Sequence, residues 1–168
     1  MRQAKGLTDP RAELGRLHRP AEPRRGRNIG CANEGKRRMS QQEQNIELIK
    51  KGYEAFAAGD VETLMSLLDD NVEWVQPGES AISGTYHGKG EFAELLRRMG
   101  EKSLTAKLNR LLADGDTVIG LTEVTAGDER SQDADVFTLR DGKITRAQLY
   151  TDTAVMERVF GKKQVATG

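Results

Sequence analysis

The stretch Leu104–Thr151, LTAKLNRLLADGDTVIGLTEVTAGDERSQDADVFTLRDGKITRAQLYT, decides the fold. Apolar residues recur at a two-residue period through Leu104–Leu112, Thr117–Thr125, Ala134–Arg140 and Lys143–Thr151, the period of a strand with one face buried. Asp114-Gly115-Asp116 and Asp141-Gly142 supply turns, because Asp-Gly tolerates the positive φ that tight hairpins need. The segment is predicted to be an antiparallel meander of four strands.

Upstream the period changes to that of helices. Ser40-Gln41-Gln42-Glu43 has capping-box spacing, in which the hydroxyl takes one free amide and the glutamate reaches back to the cap. Behind it Ile46, Ile49, Tyr53 and Phe56 fall on one helical face, and Gly59 is the predicted stop. Asp60 is placed to cap a second helix that buries Val61, Leu64, Met65 and Leu68, and Asp69-Asp70-Asn71 ends it. Val72–Val75 reads as a short strand closed by Pro77-Gly78. Glu79–Gly90 reads as a Gly/Ser-rich loop leading into a third helix with Phe92, Leu95, Leu96 and Met99 on its inner side. Ala154–Phe160 forms a last helix, capped by Asp152 or Thr153. Helices first and a meander afterwards give an α+β domain whose helices cover one face of a curved sheet.

The chain has 168 residues, with 26 Lys+Arg against 26 Asp+Glu. That balance hides an asymmetry: residues 1–38 carry 11 basic against 4 acidic side chains, and residues 39–168 carry 15 against 22. Residues 1–38 also hold three of the four prolines and too little apolar periodicity to offset ordering entropy, so disorder is expected there. Met39-Ser40 is a natural start for the folded domain, and the leading expectation for the basic stretch is an over-extended start. Residues 39–161 are expected to be the domain and 162–168 a tail. No apolar run approaches the roughly 18 residues that cross a bilayer, so no membrane partner is expected. Nor is a nucleic-acid partner, because the basic stretch lacks aromatic interleaving and a dense block of like charge. The single cysteine, Cys31, has no intrachain disulfide partner, which agrees with a reducing, cytoplasmic setting.

Four stretches then carry a resemblance. They are Tyr53-Glu54-Ala55-Phe56-Ala57-Ala58-Gly59-Asp60, Val72-Glu73-Trp74-Val75-Gln76-Pro77-Gly78, Gly84-Thr85-Tyr86-His87-Gly88-Lys89, and Leu139-Arg140-Asp141-Gly142-Lys143-Ile144 running into Tyr150-Thr151-Asp152. In order and spacing they resemble the SnoaL-like and ketosteroid-isomerase-like branch of the nuclear-transport-factor-like superfamily. The resemblance implies a cone-shaped, cystatin-like α+β barrel around a pocket for a small, mostly apolar molecule, often as a homodimer. It also implies acid–base chemistry without a cofactor in the members that are enzymes.

Asp135 is the most informative position. Alternation along Asp133–Arg140 puts it on the face of Phe137 and Leu139, so its carboxyl is aimed at the predicted apolar interior. Two placements are open: a buried acid whose pKa is raised by desolvation, or a carboxylate at the rim paired with a base such as Arg146. By resemblance it matches the oxyanion-hole aspartic acid of ketosteroid isomerases. The Asp-Pro pair that supplies the base in those enzymes is Gln76-Pro77 here, and an amide takes up no proton near neutral pH, so steroid isomerisation by that route is not expected.

Asp152 resembles the carboxylate base of the polyketide cyclases, and it is equally well placed as a helix cap. Tyr53 is open between core and pocket wall. Trp74, Phe137 and Tyr150 are candidate walls, with Gln76 orienting the ligand. His87 and His18 do not make a metal site, and His87 is expected to be a solvated loop residue. Two functions of different class follow. One is a cofactor-independent isomerase, cyclase or epoxide hydrolase acting through Asp152 and Asp135. The other is a non-catalytic ligand-binding or dimeric interaction module.

Overall fold

The computed structural model describes residues 39–164. The expectations for residues 1–38, including Cys31 and His18, and those for residues 165–168 lie outside the described residues. The elements run α1 (Gln41–Ala58), α2 (Val61–Leu67), β1 (Leu68–Gln76), β2 (Gly84–His87), α3 (Gly88–Glu101), β3 (Thr105–Asp114), β4 (Thr117–Ala126), β5 (Glu129–Arg140), β6 (Lys143–Tyr150) and α4 (Thr153–Phe160).

Helix boundaries follow the side chains that satisfy free backbone groups. Ser40 Oγ accepts from the Glu43 amide at 3.2 Å, while the Ser40 amide donates to the Glu43 carboxylate at 2.7 Å. Gly59 stops α1 in the left-handed region at φ 68°, returning its N–H to Ala55 and Phe56. Asp60 then accepts from the Thr63 amide at 2.9 Å and starts α2.

The six strands form one curved, unclosed sheet in the order β2-β1-β6-β5-β4-β3. Each neighbouring pair is antiparallel except β1 and β6, which run parallel and make the sheet mixed. This α+β architecture has the cystatin-like form expected. Helix α1 lies on β3 and β4, α3 on β1 and β2, and α4 on β5. Between helices and sheet the core is built on Ile49, Val72, Ile82, Leu95, Val118 and Met156, each almost fully buried.

Several boundaries differ from the sequence reading. The stretch read as a loop contains β2, four residues that pair with β1 from Gln76↔Gly84 to Glu73↔His87. So short an edge strand shows no apolar alternation, and its order comes from the neighbour it pairs with. Strand β1 begins at Leu68, before the Asp69-Asp70-Asn71 stretch read as a helix end, and the parallel register slips between Leu68 and Glu73. Strand β5 begins at Glu129, several residues before the Asp133 or Ala134 start of the sequence reading. Beyond Gly161 the chain still pairs: the Ala81 amide donates to Gly161 and the Lys163 amide to Glu79, both at 2.7 Å.

Candidate active site

The inner face of β5 is Ser131, Asp133, Asp135, Phe137 and Leu139, all buried at the period of two that a half-buried strand imposes. Asp135 is therefore inside, only 7% exposed. The rim placement is filled differently, since Arg146 pairs with Glu73 at 2.7 Å on the outer surface.

One oxygen of Asp135 is held and the other is free. Tyr53 Oη donates to Asp135 Oδ2 at 2.6 Å, whereas Oδ1 is buried without a partner among the described residues. This meeting of α1 with β5 depends on Gly120, the residue opposite Asp135 on β4. A Cβ built there would overlap Tyr53 Oη and lie 3.0 Å from ring carbons Cε2 and Cζ. The glycine is a slot through which the phenol reaches the acid.

Electrostatics follow from this burial. Desolvation pushes the Asp135 carboxyl up to about 6; the Tyr53 hydrogen bond opposes that rise and the neighbouring Asp133 charge adds to it. Burial, and then the charge of Asp135, raises the Tyr53 phenol well above its ordinary value, so it stays a donor. Asp133 is raised by burial as well, against the pull of the Ser131 hydroxyl that donates to it at 2.7 Å.

These groups border a cavity of about 100 Å³. Its walls are mostly apolar: Ile49 and Phe56 of α1, Leu64 and Leu67 of α2, Phe92, Leu96 and Met99 of α3, with Leu149 and Met156 from β6 and α4. Trp74, Gln76 and Phe137 also line it, together with Tyr53, Asp133 and Asp135. Trp74 packs on Phe92 with ring centres 4.4 Å apart and meets Phe137 edge-on at 6.1 Å. Trp74 Nε1 and Gln76 Oε1 are both buried without partners. A donor and an acceptor left unpaired in an interior are costly there.

Two candidates stand elsewhere. Tyr150 is 60% exposed on the outer face, because the same alternation that sends Leu149 inward sends its neighbour out; its candidacy as a wall is corrected accordingly. Asp152 is exposed at the start of α4, where Oδ1 accepts from the amides of Ala154 at 3.0 Å and Val155 at 3.2 Å. It does not border the cavity. His87 is exposed at the β2–α3 junction. Among the described residues no three His, Cys, Asp or Glu side chains come together as a metal site would require.

Sequence reading missed Asp133 and Gly120. Asp133 shares the parity of Asp135, so the same alternation along Asp133–Arg140 puts it on the inner face. Gly120 left a different signal, a glycine in mid-strand without a turn, which marks a close approach.

The fold is shared with known proteins. The profile of the SnoaL-like domain matches residues 49–147, from α1 through β6. Among solved structures, Bal32a from a soil-derived mobile gene cassette is 32% identical with a TM-score of 0.67, covering 72% of this chain and 99% of that one. A protein with a cystatin-like fold from Xanthomonas campestris is 27% identical, TM-score 0.67, over 70% of this chain and 98% of its own. TerC, co-crystallised with polyporic acid, is 28% identical with a TM-score of 0.62 over 70% and 98%. Because the profile spans the elements that bring Tyr53 to Asp135, and whole chains of the same architecture superpose on them, this chain belongs to the SnoaL-like family of the nuclear-transport-factor-like superfamily.

Proposed function

We propose that the cavity binds a small, mostly apolar molecule and that Asp135 moves a proton on it without a cofactor, in chemistry of the isomerase or cyclase type. The observation that carries this reading is the state of Asp135: one oxygen steadied by Tyr53, the other buried and unpartnered at the cavity wall. A carboxyl raised to about 6 is present in both protonation states near neutrality, which suits a group that takes a proton and returns it. Trp74 Nε1 is a donor for the oxygen on which negative charge would develop, and Gln76 orients the ligand. Asp152, occupied as a helix cap, has no part in this reading. A volume of about 100 Å³ suits roughly one ring, compared with the roughly 150 Å³ engineered cavity that admits benzene.

The test is deuterium wash-in. The full-length protein is incubated in D2O with cyclohexanone or 2-aminocyclohexanone, and loss of the proton beside the carbonyl is followed by NMR. Exchange at least tenfold faster than with Asp135→Asn supports the reading. Binding of these ketones with equal exchange rates for both proteins favours the non-catalytic ligand-binding module.

A specific feature also favours the homodimer. Leu112, Leu121 and Tyr150 are exposed on the outer face of the sheet. Leu121 stands opposite Ala134, which stands opposite Tyr150, and Leu112, Ile119 and Val136 form the adjacent cross-strand row. A second copy related by a two-fold axis would cover both rows with the same rows of its own.

A further inference from the structure

We infer that the ligand carries a protonated amine, so that the cavity is selective for a small aromatic or alicyclic ammonium compound. This rests on the reading of the cavity as a ligand site and names the chemical class it takes.

The charges on the cavity wall are of one sign. Asp133 and Asp135 project from the same face of β5, and among the described residues none that lines the cavity is Lys, Arg or His. Asp135 Oδ1 therefore faces the interior with neither a hydrogen bond nor a cation to answer it. A buried carboxylate without a counter-charge is among the most costly groups a fold retains, and a bound cation relieves that cost.

The unpaired hydrogen-bonding atoms point the same way. Among the residues that line the cavity, the fully buried unpaired atoms are two acceptors, Asp135 Oδ1 and Gln76 Oε1, and one donor, Trp74 Nε1. A ketone or ester carries no N–H or O–H, so it accepts from the indole but offers neither acceptor a hydrogen bond. An ammonium group brings three donors. A carboxylate ligand would add a third negative charge to the two already on the wall.

The aromatic rings complete the match. Trp74, Phe92 and Phe137 form one cluster, and Tyr53 meets Phe137 edge-on at 6.0 Å. Ring faces attract a cation within about 6 Å, most strongly that of tryptophan. Carboxylate and aromatic walls together replace the water that an ammonium loses on entry, and the remaining apolar surface takes its hydrocarbon part.

The experiment uses the full-length protein at pH 7.5 and three probes of similar size: benzylamine, benzyl alcohol and benzoate. Trp74 is the only tryptophan, so its fluorescence and its indole N–H resonance report occupancy directly. Benzylammonium is expected to bind at least tenfold more tightly than benzyl alcohol, with no saturable response to benzoate. In Asp135→Asn the preference for the amine is expected to vanish while benzyl alcohol still binds. The comparison within the wild-type protein stands even if that variant fails to fold. Equal or tighter binding of the alcohol or the benzoate overturns the amine assignment and leaves the cavity reading intact. No response of Trp74 to any of the three overturns both.

Discussion

Asp135 keeps its carboxyl group in an apolar interior, and the cost of doing so depends on pH. Its folded-state value of about 6 lies above the ordinary 3.8, so between these values the folded chain holds the proton that the unfolded chain has released. The stability contributed is full below the lower value and lost as pH rises through the upper one. The separation amounts to about 3 kcal/mol by pH 7. Asp135→Asn is therefore expected to match wild type near pH 4 and to be more stable by up to about 3 kcal/mol at pH 7, read by urea unfolding at both. A gap independent of pH would refute this. Tyr53 and Gly120 bear on the same group. Tyr53→Phe removes the donor that favours the ionised acid, so the Asp135 pKa is expected to rise further, at a stability cost of about 1–3 kcal/mol for the unpaired oxygen. Gly120→Ala pushes the phenol aside and is expected to reproduce that rise, as followed by carbon NMR of the carboxyl. Sequence reading found Asp135 because strand parity is local. It left Tyr53 between core and wall, since its partner is 82 positions away and only the packing of α1 on the sheet joins them.

At the scale of elements, α1, α2 and α4 each start at a side chain whose oxygen takes free amides, and these starts were legible because caps lie within three residues of what they satisfy, whereas α3 follows His87 with no side-chain cap. Asp152 separates structure from chemistry. Asp152→Ala is expected to cost about 1 kcal/mol by exposing the first amides of α4. Asp152→Asn keeps an acceptor oxygen and is expected to retain both stability and the deuterium wash-in rate. Loss of wash-in in the Asn variant would return Asp152 to the catalytic group. Strand β2 was illegible for the opposite reason, since its order is imposed by β1 and its own residues alternate nothing strongly apolar.

For the whole molecule, the sheet has one face covered by helices and one carrying exposed apolar side chains. Leu121→Lys places a charge in the middle of the outer row and is expected to convert a dimer to a monomer in sedimentation velocity, with the melting temperature of the fold little changed. A wild-type monomer at micromolar concentration would remove the proposal. Deleting residues 1–38, whose composition favours solvation over burial, is expected to leave the melting temperature of the domain within about a degree or two. A large drop would show that the basic stretch supports the fold.

The parallel contact of β1 with β6 has a consequence for biosynthesis. Trp74 aligns with Ala147 and Leu68 with Ile144, pairs separated by most of the domain's length, whereas β3 to β6 are joined by successive hairpins. Contacts so distant along the chain close late. On the ribosome, the edge of β1 that pairs with β6 stays open until β6 has emerged, although α1 has β3 and β4 to pack on before then.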